Sequence, residues 1–343
     1  MTPREETGRL RTVTGMIATS DITGPVLSHE HLQMDLRWPA RPKLVESDPG
    51  RWLDEEKSVQ RELTALRKEH GLGLVVDLTC SGMGRNAAAL ARISAGARVA
   101  VVAGTGVFTE PFHPAFVRET LAADQGASRS GGAASQSPRQ EPDGPSGVER
   151  LAERLLAEVG FGMDGTNSLP GVIGEIGTWG EAPTETEELC LRAAARAARY
   201  SGLSVATYGR AGLAQLEILT AAGLSPERVA VGQQDRVDDP GQHRKIAETG
   251  GYVSFGTLGL AGDDHAAVGA RVRCVMDLLE AGHAPRVLLS TGISRMTQVT
   301  RYGGAGFGYL FDTFLPALRA AGADDATLET ILRDNPLRWL TGA

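Results

Sequence analysis

Eight short runs of Val, Ile and Leu recur along this 343-residue chain with helical patterns between them, and that rhythm leaves few folds open. The runs are Val26–His31, Leu72–Thr79, Val99–Gly104, Gly171–Ile176, Leu203–Tyr208, Val229–Gly232, Tyr252–Phe255 and Val287–Thr291. Between them Val59, Leu63 and Leu66 keep helical spacing, as do Val268, Val272, Val275, Met276 and Leu279. Strands alternating with helices predict parallel βαβ units, and eight of them predict a closed α/β (β/α)8 TIM barrel in a single domain spanning 1–343. An open doubly wound sheet is the alternative. It needs a glycine fingerprint after the first strand, where this chain reads SHEHLQMD.

One stretch breaks the rhythm. Gln125 to Gly147 (QGASRSGGAASQSPRQEPDGPSG) holds almost no apolar residue, so it cannot bury enough surface to offset its ordering entropy and reads as a flexible surface insertion at 125–147. The tail after Asp324, with Thr327–Leu332 and an Asn335-Pro336 break, reads as a closing helix on the barrel base.

Composition narrows the partner. With 41% hydrophobic residues the chain can build a full core, and a net charge of −7 gives no basic footprint for nucleic acid or an anionic membrane. A small-molecule substrate is the expected partner. Cys80, Cys190 and Cys274 are too far apart for a disulfide framework or a paired-cysteine metal knuckle. The first fourteen residues, MTPREETGRLRTVT, lack the apolar stretch of a secretory signal, and no run is long enough to span a bilayer. A cytoplasmic protein is expected.

In such a barrel the active site lies at the C-terminal ends of the strands. Strand one ends in His29-Glu30-His31, where alternation turns both histidines to the same side. Strand four ends in Gly174-Glu175-Ile176-Gly177, a carboxylate among apolar and glycine residues. Strand five ends in Tyr208, strand six in Gln233-Gln234-Asp235, and strand eight in Ser290-Thr291-Gly292. Two histidines and one carboxylate form a recognised catalytic zinc set with an open fourth position, though satisfied strand-end histidines and a carboxylate paired with arginine would be the ordinary structural reading. The Gly303–Gly306 run lacks the Lys of a phosphate loop and reads as a flexible loop over the pocket.

Seven segments in order (TVTG…SHEHL, VDLTCSGMGR, AGTGV, GVIGEIG, VGQQD, LLS…YGGAG and Asn335-Pro336) resemble the phosphotriesterase family of the amidohydrolase superfamily over nearly the whole chain. The resemblance implies a (β/α)8 barrel, commonly dimeric, whose two divalent metals activate a hydroxide to hydrolyse phosphotriesters, lactones or related esters. His29 and His31 match the family's first-strand ligands, Glu175 its bridging acid, and Asp235 a position that supports proton relay. Three matches fail: the expected strand-five histidine is Tyr208, the strand-six histidine is Gln233, and the strand-eight aspartate is Gly292.

That pattern of loss leads to three expectations. The first is a metal-free enzyme, with no cofactor, that carries out elimination, isomerisation or cyclisation. Its Glu175, raised in pKa by burial, exchanges a proton with His29 or His31 while Tyr208 and Gln233 donate hydrogen bonds to a developing oxyanion. The second is a mononuclear zinc hydrolase of an ester or lactone, with the ion on His29, His31 and Glu175. The third is a non-catalytic binding protein. In each case Trp179, Arg210, Arg295, Tyr302 and Phe307 are placed around the organic ligand.

Overall fold

The computed structural model describes residues 8–129, 145–261 and 264–342. All eight expected runs are strands, with ends that shift by no more than two residues. They are β1 (Val26–Glu30), β2 (Leu74–Asp77), β3 (Ala100–Thr105), β4 (Val172–Gly177), β5 (Val205–Tyr208), β6 (Val229–Val231), β7 (Tyr252–Phe255) and β8 (Val287–Leu289). Each pairs in parallel with the next in chain order, so β1 and β8 lie at the two ends of the ladder.

The ring is closed by side chains and by irregular backbone. The Ser28 hydroxyl donates to the Leu289 carbonyl at 3.0 Å. The buried Glu30 carboxylate accepts from the Ser290 hydroxyl at 2.7 Å and from the amides of Thr291 and Ile293 at 2.8 and 2.9 Å. A carboxylate with three donors can be buried where an unsatisfied one could not.

The lower half of the barrel interior is apolar. Val26, Val76, Val102, Val172, Ala206, Ala230, Tyr252 and Leu288, one from each strand, pack with Leu337, Trp339 and Leu340 of the C-terminal helix Asn335–Thr341. That helix plugs the base, as the tail pattern predicts.

On the outside, the helix Glu56–Glu69 buries Val59, Leu63 and Leu66 as expected. The helix His265–Glu280 buries Val268, Val272, Cys274, Val275 and Leu278. Met276 and Leu279, expected on that face, are only partly buried because the apolar stripe runs one position to the side.

Of the stretch 125–147, only the two ends are described. The preceding helix, Ala115–Arg129, continues into it, and the next, Gly147–Phe161, starts from a capping box in which Ser146 and Glu149 satisfy each other's backbone amides. Residues 130–144 lie outside the described residues. Between β1 and the helix Glu56–Glu69, a short hairpin (Met34–Asp35 with Trp52–Leu53) frames an excursion of the chain at the upper end of the barrel.

Candidate active site

Two strands reach the mouth out of phase with the alternation they begin with. On β1, Val26 faces the interior and Leu27 the outer core, so strict alternation would send Ser28 in and His29 out. A register shift against β2 between Leu27 and Glu30 re-phases the strand, and His29 and His31 both face inward. On β4, Val172 faces in while Ile173 and Ile176 face out, and a shift against β5 between Ile173 and Ile176 turns Glu175 inward.

These three residues meet. Nε2 of His29 and Nε2 of His31 each lie 3.1 Å from the same Glu175 oxygen, Oε1. The ligand atoms of all three lie within 4.8 Å of one another, and all three side chains are buried. Neither Glu175 oxygen nor His29 Nε2 makes a well-formed hydrogen bond. Leaving such groups unsatisfied in a core costs about 1–3 kcal/mol each. Acceptor atoms aimed at one point without bonding one another are what a bound cation requires, and two imidazoles with a carboxylate suit zinc or a similar divalent ion.

Electrostatics agree with an ionised carboxylate. Burial pushes the Glu175 pKa up, but the facing His29, helped by His31, outweighs it, and the group sits below the ordinary carboxylate value. The raised pKa expected from burial alone is thereby corrected. Burial opposes protonation of His29, and Glu175 more than offsets it, so His29 titrates above its ordinary value.

The ligands are held from behind. His31 Nδ1 is 3.1 Å from the Thr79 hydroxyl. Asp77 accepts from the Leu32 and Thr79 amides at 2.6 and 3.0 Å, fixing the backbone beside both. Such partners set the tautomer and orientation of ligand histidines.

Around the triad, Tyr208 and Gln233 hydrogen-bond each other, and burial raises the Tyr208 pKa. Gln233 occupies the left-handed region at φ 54°. Gly292 stands at φ +67°, where a Cβ would lie 2.6 Å from the Gly256 carbonyl oxygen and 2.7 Å from Thr257 Cα, so its missing side chain is matched by close backbone packing. Asp235 does not line the central cavity. Both its oxygens are held by Thr257, from the amide at 3.1 Å and the hydroxyl at 2.6 Å.

A cavity of about 290 Å³ opens above the triad, lined by His29, His31, Tyr208 and Gln233, with Trp179 and Arg295 among its walls. The other three residues expected there are elsewhere. Arg210 pairs with Glu181 at 3.0 Å on the exterior. Tyr302 is exposed beside Glu55, and Phe307 is buried in the outer core with its amide on Glu62. Each follows a strand end in sequence, but the loops carry them outward.

Sequence reasoning missed Phe108, Arg51 and Arg236 in the cavity wall. Arg236 directly follows the strand-six motif and was findable by the rule that picked Trp179. Arg51 comes from the excursion after β1, where no pattern marks it.

Residues 8–128 and 135–340 match the model of the phosphotriesterase family. The chain is 32% identical to the phosphotriesterase homology protein of Escherichia coli (strain K12), over 93% of this chain and 98% of that one. It is 27% identical to the N-acetyltaurine hydrolase of Danio rerio, over 97% and 98%. The crystal structure of the Escherichia coli protein, described as complexed with phosphate in its active site, superimposes with a TM-score of 0.79 at 31% identity, covering 93% of this chain and 99% of that one. The expectation of a site without a metal is overturned, because enzymes of this family are metal-dependent and the buried cluster of His29, His31 and Glu175 is intact. Nearly the whole chain carries the match, and the chain belongs to the phosphotriesterase family.

Proposed function

We propose that the protein is a metal-dependent hydrolase that cleaves an ester, lactone or amide bond of a small molecule, with His29, His31 and Glu175 holding a single divalent ion. The observation that carries this reading is the convergence of ligand atoms from three buried side chains within 4.8 Å, with those of His29 and Glu175 left without good hydrogen bonds. Kinship with a hydrolase family, including relatives named for amide hydrolysis, supports hydrolysis over elimination or isomerisation. One ion is favoured over two because Tyr208 and Gln233 hydrogen-bond each other and the packing at Gly292 leaves no room for a side chain.

A divalent ion there supplies Lewis acidity toward an acyl or phosphoryl group and lowers the pKa of water. The chain's own groups do the rest. Tyr208 and Gln233 are the hydrogen-bond donors for oxygen that gains charge as the bond breaks. Thr79 holds the His31 ring, and Trp179 with Phe108 gives the substrate an apolar wall that excludes water. Asp235, bonded twice to Thr257, positions the backbone where β7 ends.

The test is elemental analysis of the purified protein together with turnover of a panel of esters, lactones and N-acyl compounds, before and after chelation. One equivalent of metal, with activity lost on chelation and restored by one equivalent, is expected. Full turnover by metal-stripped protein would overturn the reading.

A further inference from the structure

Three arginines, Arg51, Arg236 and Arg295, line the cavity, and a single carboxylate answers them. Asp48 accepts from Arg295 Nη2 and Nη1 at 2.6 and 3.1 Å and from Arg51 Nε at 3.1 Å. Hydrogen bonding to Arg295 holds the Asp48 carboxyl down at about 2, so it is fully charged and spent on this pair. Arg236 makes no ion pair among the described residues. Its acidic neighbours are engaged elsewhere: Asp235 with Thr257, Asp238 beside the Cys274 thiol, and Asp239 capping the helix Pro240–Thr249. The cavity wall itself thus sets three guanidiniums against the one carboxylate of Asp48, while Glu175, beneath the lining histidines, faces His29 and His31.

Three features make this a seat for an anion. Asp48 fixes two guanidiniums in place before any ligand arrives, which lowers the ordering cost of binding. Arg51 also stands over the Trp179 ring at 5.5 Å. Arg51, Arg236 and Tyr208 line one and the same cavity, so rim and floor are near each other. Guanidinium groups present paired donors that match carboxylate, sulfonate and phosphate oxygens.

Resting on the hydrolase reading above, we infer that the substrate is a small acyl compound carrying an anionic group, which docks on Arg236 with the Arg51–Arg295 pair while its scissile bond lies over His29, His31 and Glu175. The reaction is balanced by water alone. The acyl carbon gains the hydroxyl, its bond to the leaving oxygen or nitrogen breaks, and the leaving atom takes the proton. The separation of charge between rim and floor also fixes direction, since an anion turned toward ionised Glu175 would be repelled.

The test uses the metal-loaded protein and matched esters and amides that end in a carboxylate, a sulfonate or a phosphate, each beside a neutral isostere. The anionic members should show kcat/KM higher on the order of 10²-fold at low salt, an advantage that shrinks as salt rises. The three arms tell which anion fits. Arg236→Gln should cut the anionic-to-neutral ratio about tenfold or more, mainly through KM. A wild-type ratio near one overturns the anion seat while leaving hydrolysis intact, and an unchanged ratio in Arg236→Gln overturns the role of Arg236. If no compound is turned over, the hydrolase reading fails, and calorimetry with propanesulfonate and its neutral sulfonamide decides the seat separately. Binding of the sulfonate alone, weakened in Arg236→Gln, supports the seat, and equal or absent binding of the two overturns it.

Discussion

The imidazole of His29 packs closely against Gly256: a Cβ added to Gly256 would stand 2.6 Å from Nδ1 and 2.8 Å from Cγ of the ring. Gly256 follows β7, so a residue two strands away around the ring sets where a β1 ligand can sit. Gly256→Ala should tilt His29 away from Glu175 and weaken metal binding about 10–100-fold. Competition with a chromogenic chelator measures this, and wild-type affinity in the variant would refute the placement.

Glu175→Gln keeps the size of the side chain and removes its charge. It should lower kcat/KM by at least about 10²-fold and take the bound ion with it, since one imidazole pair is a weak site. Circular dichroism should show an intact fold. A variant that keeps both metal and turnover would remove Glu175 from the site.

Gly292→Asp, which restores the family's strand-eight residue in sequence, should not restore it in function. The left-handed backbone and the contacts at 2.6 and 2.7 Å make any side chain costly, about 1–3 kcal/mol in urea unfolding. Gly292→Ala should cost a similar amount. A stable Gly292→Asp protein with a second equivalent of metal would show that the backbone there yields.

His113 predicts the acid side of stability. It is buried, its Nε2 meets the Phe108 carbonyl at 3.2 Å, and burial holds its pKa down at about 4 against an ordinary 6.5. The unfolded chain takes up this proton first, so stability falls as pH drops from about 6.5 and stops falling on this account below about 4. The loss between pH 7.5 and 5 should be about 2 kcal/mol. His113→Gln should flatten that part of the profile in urea titrations, and an unchanged slope would exclude His113 as its source.

The barrel was legible because strands buried on both faces must be nearly continuous apolar runs, and Val99–Gly104 or Tyr252–Phe255 can be little else. His29, His31 and Glu175 were legible as types at strand ends. Their inward direction follows from the strand ends facing one mouth, but the two register shifts that re-phase β1 and β4 to achieve it were not legible, because a shift leaves no mark in composition. Gln233, Tyr208 and Gly292 stand out in the sequence as departures from the family's pattern, but the hydrogen bond between the first two and the close backbone packing at the third belong to tertiary structure. Arg210, Tyr302 and Phe307 were misplaced for a simpler reason: proximity in sequence to a strand end does not say which way a loop turns.

The seam between β1 and β8 carries a consequence for how the chain is made. Ser28, Glu30 and the residues they hold, Leu289 to Ile293, are separated by 260 to 263 positions. His29 and His31 precede every other strand of the ring, which cannot shut until β8 has been added. Contacts of such separation carry a large loop-closure cost and form late. Until Glu30 has latched onto the amides of Thr291 and Ile293 the ring stays open, and the pocket around His29, His31 and Glu175 should be completed among the last events of folding.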